Sequence, residues 1–398
     1  MAHTLLCMSS YFKGGEFIVE AKKQGCHIIL MTEEKLKDAP WPRDHIDEFF
    51  LMPDLGKLPD VIYAVSYLGR SNPIASIIPL DEYDVEMAAI LREHLQIQGM
   101  SMSQTKTFRD KLAMRVKTQQ NGIRVPAFTP VINYDTLREY MDRVSPPWVL
   151  KPRLEAGAMG IKKVNNSEEL WRWLDELGDQ QSFRVLEQFL PGDVFHVDSI
   201  INDGQVIFSS YQKYGAPPMN VAHDGGVFVS QTIPADSDDG QQLNAFNEDV
   251  IHALNLTRGV THAEFIKAHV DGKFYFLEIA ARVGGAHISD LIEKTSGVNL
   301  WAEWARLEIA YLRDETYELP ELISKQGALL VCLAKQEQPD MSGYDAPEVV
   351  WAINKKQHAG LVIASEDIDR VQTLLTSYHE RFVHDFLAVA PPMDNPPD

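Results

Sequence analysis

Two glutamates, Glu264 and Glu278, each stand in a short run of apolar and β-favouring residues. A carboxylate in the middle of a half-buried strand is costly unless it is paired or binds a metal. The runs, from about Val260 to His269 and from Lys273 to Ala280, alternate as strands do and are joined across Asp271-Gly272. Register decides whether the two acids meet. A two-residue Asp-Gly turn pairs Val270 with Lys273 and leaves the acids on opposite faces of the ribbon. A three-residue turn, Val270-Asp271-Gly272 with Gly272 left-handed, pairs His269 with Lys273 instead and sets Glu264 across from Glu278, with Cβ atoms roughly 4.5–5.5 Å apart. Like charges that close repel, so the arrangement makes sense around a cation. Carboxylates without His or Cys partners suit Mg²⁺, or Mn²⁺, hard ions that also take phosphate oxygens. Arg282 and then Gly284-Gly285 follow. A guanidinium beside free backbone N–H groups suits a phosphate or an anionic transition state. The competing expectation is an exposed hairpin with solvated acids, and the apolar flanks argue against it.

Three further stretches carry chemistry-bearing residues. A helix starting near Thr105 puts Lys111 and Arg115 four apart on one face, which on its own is as well explained by a solvated basic face. Trp148–Val164 reads as strand, loop, strand. Lys151 ends the apolar strand, so its ammonium is held at a fixed height, and Ala156, Gly157, Ala158 and Gly160 let the loop backbone approach phosphates closely. In Phe183–Asp198 a strand at Val185–Glu187 leads through Gln188-Phe189-Leu190 to Pro191-Gly192-Asp193, where Asp193 reads equally well as a turn residue.

In this order the four stretches resemble the ATP-grasp superfamily. Its metal-binding end has a Glu and, further on, Glu-x-Asn-x-Arg-x-Gly-Gly, matched here by Glu264, Glu278, Arg282, Gly284 and Gly285. The usual Asn, a further metal ligand in the family, is Ala280. That departure implies two carboxylate ligands with more water, or the Glu-x-Ala-Ala-Arg variant of some amino-acid ligases. The resemblance implies that Lys111, in an Asp-Lys-x-x-x-Arg pattern ending at Arg115, and Lys151 reach the nucleotide phosphates, and that Gly157 and Gly160 belong to a phosphate-covering loop. It implies that Gln188, Phe189 and Leu190 form an adenine hinge, with Glu187 accepting from the exocyclic amine or nearby backbone and Asp193 holding ribose hydroxyls. Ala158 replaces a common Ser, so no hydroxyl contact carries over there. The activity implied is ATP- and Mg²⁺-dependent ligation of a carboxylate to an amine through an acyl phosphate, with Glu278, Lys151 and Arg282 catalytic. His262 or His287 would assist proton removal, although a structural role fits each better. A bicarbonate-activating carboxylase and a nucleotide-binding regulatory module without turnover are the alternatives.

The elements that must position these residues follow from the rest of the chain. Strands at Thr4–Met8, His27–Met31 and Val61–Val65, a helix from Glu16 to Gln24 and an amphipathic helix from Asp81 to Gln96 predict a Rossmann-like opening. Gly14-Gly15 lacks the spacing and the distal acid of a dinucleotide fingerprint. Strand Val185–Glu187 is followed by a second one carrying His196 and Asp198, packed on Ile207–Tyr211. Lys213–Asp224 reads as irregular, a substrate loop or a plain surface loop. The expected fold class is α/β and α+β: an ATP-grasp fold over residues 105–310 (lid about 116–186), an N-terminal pre-ATP-grasp lobe over 1–104 and a C-terminal α+β lobe over 311–398. A formal net charge of −20 over 398 residues without a sustained basic run disfavours nucleic acid and anionic membrane as partners. The expected partners are small carboxylate and amine substrates, with a homodimer allowed. Cys7, Cys26 and Cys332 are scattered and fit buried thiols in a reducing, cytoplasmic setting. The Pro-rich tail from Pro391 reads as a frayed end.

Overall fold

The computed structural model describes residues 2–157, 159–219, 221 and 225–389, and three sheets organise them. In the N-terminal lobe β1 (Thr4–Ser9), β2 (His27–Glu33), β3 (Glu48–Met52) and β4 (Ile74–Pro79) run parallel in the order β3-β2-β1-β4. A parallel sheet needs cover on both faces. Helix α1 (Gly15–Lys23) supplies Phe17, Ile18 and Ala21 to one face; α2 (Asp60–Leu68) and α3 (Val85–Leu95) close the other. All three cysteines are buried.

Two expectations for this lobe need correction. Val61–Val65 is not a strand but the first part of α2. Val61, Val65 and Leu68 recur at helical spacing and are buried, whereas Tyr63 and Tyr67 face solvent. Five apolar residues in a row carry no period of their own, and here the face that packs decides. The Asp81–Gln96 segment is not one helix either. Asp81 caps a 3₁₀ turn at Glu82–Asp84, its carboxylate accepting from Tyr83 N–H, before α3 begins. That turn sets Glu82 at the rim of the main cleft.

The single helix expected from Thr105 is likewise two, α4 (Met102–Arg109) and α5 (Lys111–Gln120). Asp110 between them is extended, and its Oδ1 accepts from Leu112 N–H at 3.0 Å and Ala113 N–H at 3.4 Å. The same carboxylate holds Arg153 at the end of the lid sheet, Nε to Oδ1 at 2.9 Å. The break makes Lys111 the first residue of a capped helix and fixes it against the lid. That lid is a second sheet of β5 (Phe128–Pro130), β6 (Trp148–Pro152), β7 (Lys162–Val164) and β8 (Arg184–Gln188), ordered β5-β8-β6-β7. Helices α6 (Tyr134–Arg143) and α7 (Ser167–Leu177) pack on it through Leu137, Tyr140, Leu170 and Leu174.

The third sheet has eight strands: β9 (Gly192–Asn202), β10 (Gln205–Tyr214), β11 (Phe228–Thr232), β12 (Gly259–Ala268), β13 (Phe274–Ala280), β14 (Gln326–Leu333), β15 (Val349–Ala352) and β16 (His358–Ser365). Their order is β13-β12-β9-β10-β11-β14-β16-β15, so the strands beyond residue 311 extend the same sheet that carries Glu264 and Glu278. Helix α8 (Asp238–Leu254) and the α4–α5 pair cover one face of its first half; α9 (Ile288–Ser296) and α10 (Leu300–Arg313) cover the other. Helix α11 (Ile368–Asp385) closes the distal half. Trp304 of α10 meets Phe17 of α1 edge-on at 5.2 Å, and Arg306 pairs with Glu20 at 2.7 Å, which docks the N-terminal lobe. Lys213 and Tyr214, expected in an irregular loop, end β10. Part of the stretch after them, His223 and Asp224 included, lies outside the described residues, as do Ala158 and the tail. No helix among the described residues is long and apolar enough to cross a membrane.

Asp110→Ala removes a helix cap and the carboxylate that ties α5 to the lid. We expect it to destabilise the fold by about 1–3 kcal/mol, read as a lower first thermal transition with faster amide exchange at Lys111–Ala113. An unchanged transition and unchanged exchange would contradict this role.

Candidate active site

The hairpin brings the two acids together, but not by the expected turn. Ala268, not His269, pairs with Lys273, so the loop is four residues, His269–Gly272, with Gly272 at φ +67°. Continued along the ladder, that register would put Glu264 opposite Leu277. A bulge intervenes: Phe265 pairs with Phe276, Glu264 with Glu278, and Leu277 is the extra residue. A bulge adds one residue to one strand and flips the side-chain faces beyond it. Leu277 therefore restores the facing of Glu264 and Glu278 that the longer loop would have undone. Both side chains line one cleft of about 540 Å³ between the central sheet, the lid and Glu82.

Each acid has its own counter-charge. Lys111 Nζ lies 3.0 Å from Glu278 Oε2 and donates to Glu155 O at 2.6 Å, so it joins the hairpin to the lid loop. Glu264 Oε1 accepts from the Tyr214 hydroxyl at 2.9 Å, with His262 Nε2 at 3.7 Å. His262 Nδ1 is bound to Asp198 at 2.9 Å, and the other Asp198 oxygen holds His196 at 2.8 Å. Burial alone would lower the His262 pKa, but Asp198 and then Glu264 outweigh it and push it up to about 10. His262 is thus a fixed cation behind Glu264 rather than a free base. His287 is bound to Asp290 at 3.0 Å and packs on Trp351; it does not line the cleft.

Arg282 lines the cleft with three of its N–H groups engaged. Nε and Nη2 donate to Glu82 Oε2 at 3.1 and 2.8 Å, and Nη1 donates to Val283 O at 2.9 Å. A guanidinium carries five such hydrogens, so one on each terminal nitrogen remains for a ligand. Arg109 takes the other Glu82 oxygen at 2.7 Å. Burial would raise the Glu82 carboxyl, yet Arg282, Arg109 and Lys111 hold it down to about 2. Neither Glu82 nor Arg109 stands out in the sequence. Glu82 follows a capping acid and Arg109 precedes one, and only the fold shows that both converge on Arg282.

On the opposite wall Lys151 Nζ lies 2.7 Å from Glu187 Oε2. Glu187 is also paired with the fully buried Arg115, Nε to Oε1 at 2.9 Å, and Arg115 itself does not line the cleft. Glu187 Oε1 is thus fully buried against the Arg115 guanidinium. Gln188, Phe189 and Leu190 line the cleft, but their amides differ. Gln188 N–H donates to Ala127 O and Phe189 N–H to Pro147 O. Leu190 N–H meets no carbonyl among the described residues and is the hinge amide open to a ligand. Gly157 and Gly160 sit at φ +64° and +63°, and a Cβ on Gly160 would come within 3.0 Å of Pro152, so the loop requires both glycines. Asp193 stands apart. It is half exposed, bound to Lys213 at 2.8 Å, and not part of the cleft wall, although Gly192 and Val194 on either side are.

The donor set fits a nucleotide with a divalent cation: two facing carboxylates, two lysines, an arginine and a small-residue loop around one apolar-floored cleft. Residues 144–290 match the ATP-grasp domain family. The chain carries an ATP-grasp domain. The chain is 26% identical over 322 residues to an L-arginine-specific L-amino acid ligase of Bacillus subtilis, covering 79% of this chain and 76% of the relative. It is 23% identical over 358 residues to a formate-dependent phosphoribosylglycinamide formyltransferase of Bacteroides fragilis, covering 86% and 85%. Among solved structures, an L-amino acid ligase from Bacillus licheniformis superposes with a TM-score of 0.77 at 16% identity, over 97% of this chain and 98% of that one. An N5-carboxyaminoimidazole ribonucleotide synthetase from Thermus thermophilus does so with 0.73 at 16%, over 97% and 99%. The fold of these structures thus extends over nearly the whole chain.

The Glu187 pair has a pH signature. Burial would raise this carboxyl from 4.5, but Arg115 and Lys151 overcome it and hold it down to about 2. A depressed folded-state value contributes stability above 4.5 and loses it as pH falls towards 2, about 3 kcal/mol over that window. Glu187→Gln should therefore be less stable than the parent at pH 7, and the difference should shrink as pH falls from 5 to 2. A difference that stays constant across that window in chemical denaturation would contradict the pairing.

Proposed function

We propose that the chain is an ADP-forming carboxylate–amine ligase, acting on an amino acid or small organic acid and an amine. The observation that carries the proposal is the facing of Glu264 and Glu278 in one cleft with Lys111, Lys151 and Arg282. Bound Mg²⁺ would neutralise charge on the phosphoryl group being transferred. Glu264 and Glu278 would hold it, Glu264 oriented by Tyr214 and His262. The open Leu190 amide supports the adenine end; the Glu155–Gly160 loop supports the phosphate end. The acid's carboxylate would attack the γ-phosphorus, releasing ADP and forming an acyl phosphate, and the amine would then displace phosphate. The two remaining Arg282 hydrogens would donate to the oxyanion of that second step. Ala280 offers no ligand atom, and the cleft wall at that position is apolar. The resemblance to an L-amino acid ligase supports an amino acid as the activated acid.

Incubation with ATP, Mg²⁺, candidate acids and hydroxylamine should yield a hydroxamate of the true acid together with ADP. Glu278→Gln should abolish trapping, and Arg282→Ala should lower it by about 10²-fold or more. Glu168→Gln, on the exposed start of α7, should leave it unchanged. AMP and pyrophosphate as products would overturn the mechanism. ATP turnover that depends on bicarbonate rather than an organic acid would move the chain to the carboxylases. Tight nucleotide binding without phosphate release in any substrate mixture would favour a regulatory module.

A further inference from the structure

A second, smaller cavity of about 150 Å³ lies away from the main cleft, where the N-terminal lobe, the linker through Gly99 and the central sheet meet. Its wall includes Arg92 of α3, Arg258 just before β12 and Glu308 of α10. Arg92 is only 8% exposed. Its Nε and Nη2 both donate to Ile77 O at the end of the parallel sheet, but Nη1 has no partner and is buried. The one carboxylate in the wall hydrogen-bonds to other partners, although its charge also acts on Arg92. Glu308 Oε2 holds Arg258 Nε at 3.1 Å, and Oε1 accepts from Trp304 Nε1 at 3.3 Å. Arg258 is stacked on Tyr311, its guanidinium carbon 3.4 Å from the ring centroid. The charged wall is thus two guanidiniums against one carboxylate. Ser76, Gln98, Gln104 and Thr257 add uncharged polar groups.

The site is shaped around the arginine. Gly99 has φ +147°, and a Cβ there would come within 2.7 Å of Arg92 Cδ, so this position admits the Arg92 stem only as glycine. A buried charge is ordinarily paired, because an unpaired one forfeits its hydration without compensation. Burial lowers the Arg92 pKa to about 10, which still leaves it charged at neutral pH. A guanidinium fork with a free N–H matches an oxyanion better than any neutral ligand. The volume admits a phosphate- or carboxylate-sized group and excludes a nucleotide.

We propose that this cavity is a second ligand site for a small oxyanion, held by Arg92 with Arg258 at its side. Bound there, the anion would bridge α3 and the linker to β12 and α10, joining the N-terminal lobe to the sheet that carries Glu264. The proposal does not depend on the reaction assigned to the main cleft.

The test is calorimetric titration of the full chain with inorganic phosphate and, separately, with acetate, at neutral pH and fixed ionic strength. The expected result is saturable binding of at least one of them, weakened about tenfold or more by Arg92→Gln. Phosphate binding alone would identify a phosphate site, and acetate binding a carboxylate site. No saturable binding of either anion would overturn the proposal. Binding that survives Arg92→Gln unchanged would also overturn it, since that binding belongs to the main cleft. Should Arg92→Gln fail to fold, Arg258→Gln provides the second variant; it leaves one cation against one carboxylate and is expected to weaken binding likewise, and unchanged affinity there would equally overturn the site.

Discussion

Two carboxylates that ought to repel are set face to face on adjacent strands, and much of the molecule serves to make that arrangement tolerable. Glu264 and Glu278 stay opposite each other because a four-residue loop and a one-residue bulge compensate. Neither device alone gives the facing. Each acid is then stabilised from a different part of the chain: Glu278 by Lys111 from a capped helix, and Glu264 by Tyr214 and His262 from the same sheet. In the low-dielectric interior these counter-charges are effective because they are fixed, and a hydrated surface lysine would contribute far less.

The same logic governs the rest of the cleft. Glu82 gathers Arg282 and Arg109, and Glu187 gathers Lys151 and Arg115. Each of these acids is buried and ionised because it is over-compensated by cations, so each cation keeps a defined position. The cleft wall sets Arg109, Lys111, Lys151, Arg282 and the charged His262 against five glutamates, on a chain whose formal charge is −20.

Much of the candidate site is legible in the sequence because its residues sit in ordered local patterns. The Glu264–Gly285 stretch, Lys151 ahead of a glycine-containing loop, and the Gln188–Leu190 hinge are contiguous, and the structure brings them to one cleft. What escapes a sequence reading is whatever depends on distant partners. Glu82 and Arg109 lie in unremarkable helical stretches and acquire meaning only by meeting Arg282. The bulge at Leu277 leaves no trace in composition, since Leu fits a strand equally well on either face. Val61–Val65 reads as a strand and folds as a helix because an apolar run that short has no period until one face packs. The region beyond residue 311 reads as an α+β lobe, but nothing local indicates that its strands continue the sheet through β11.

The central claim is that Glu264 and Glu278 together form one divalent-cation site in the presence of nucleotide. Electron paramagnetic resonance of Mn²⁺ titrated into the protein with ADP measures this without requiring turnover. The account predicts protein-dependent Mn²⁺ binding in the parent chain, weakened about tenfold or more by either Glu264→Gln or Glu278→Gln, with ADP binding itself retained through Lys151 and the hinge. Unchanged Mn²⁺ affinity in both variants would contradict it.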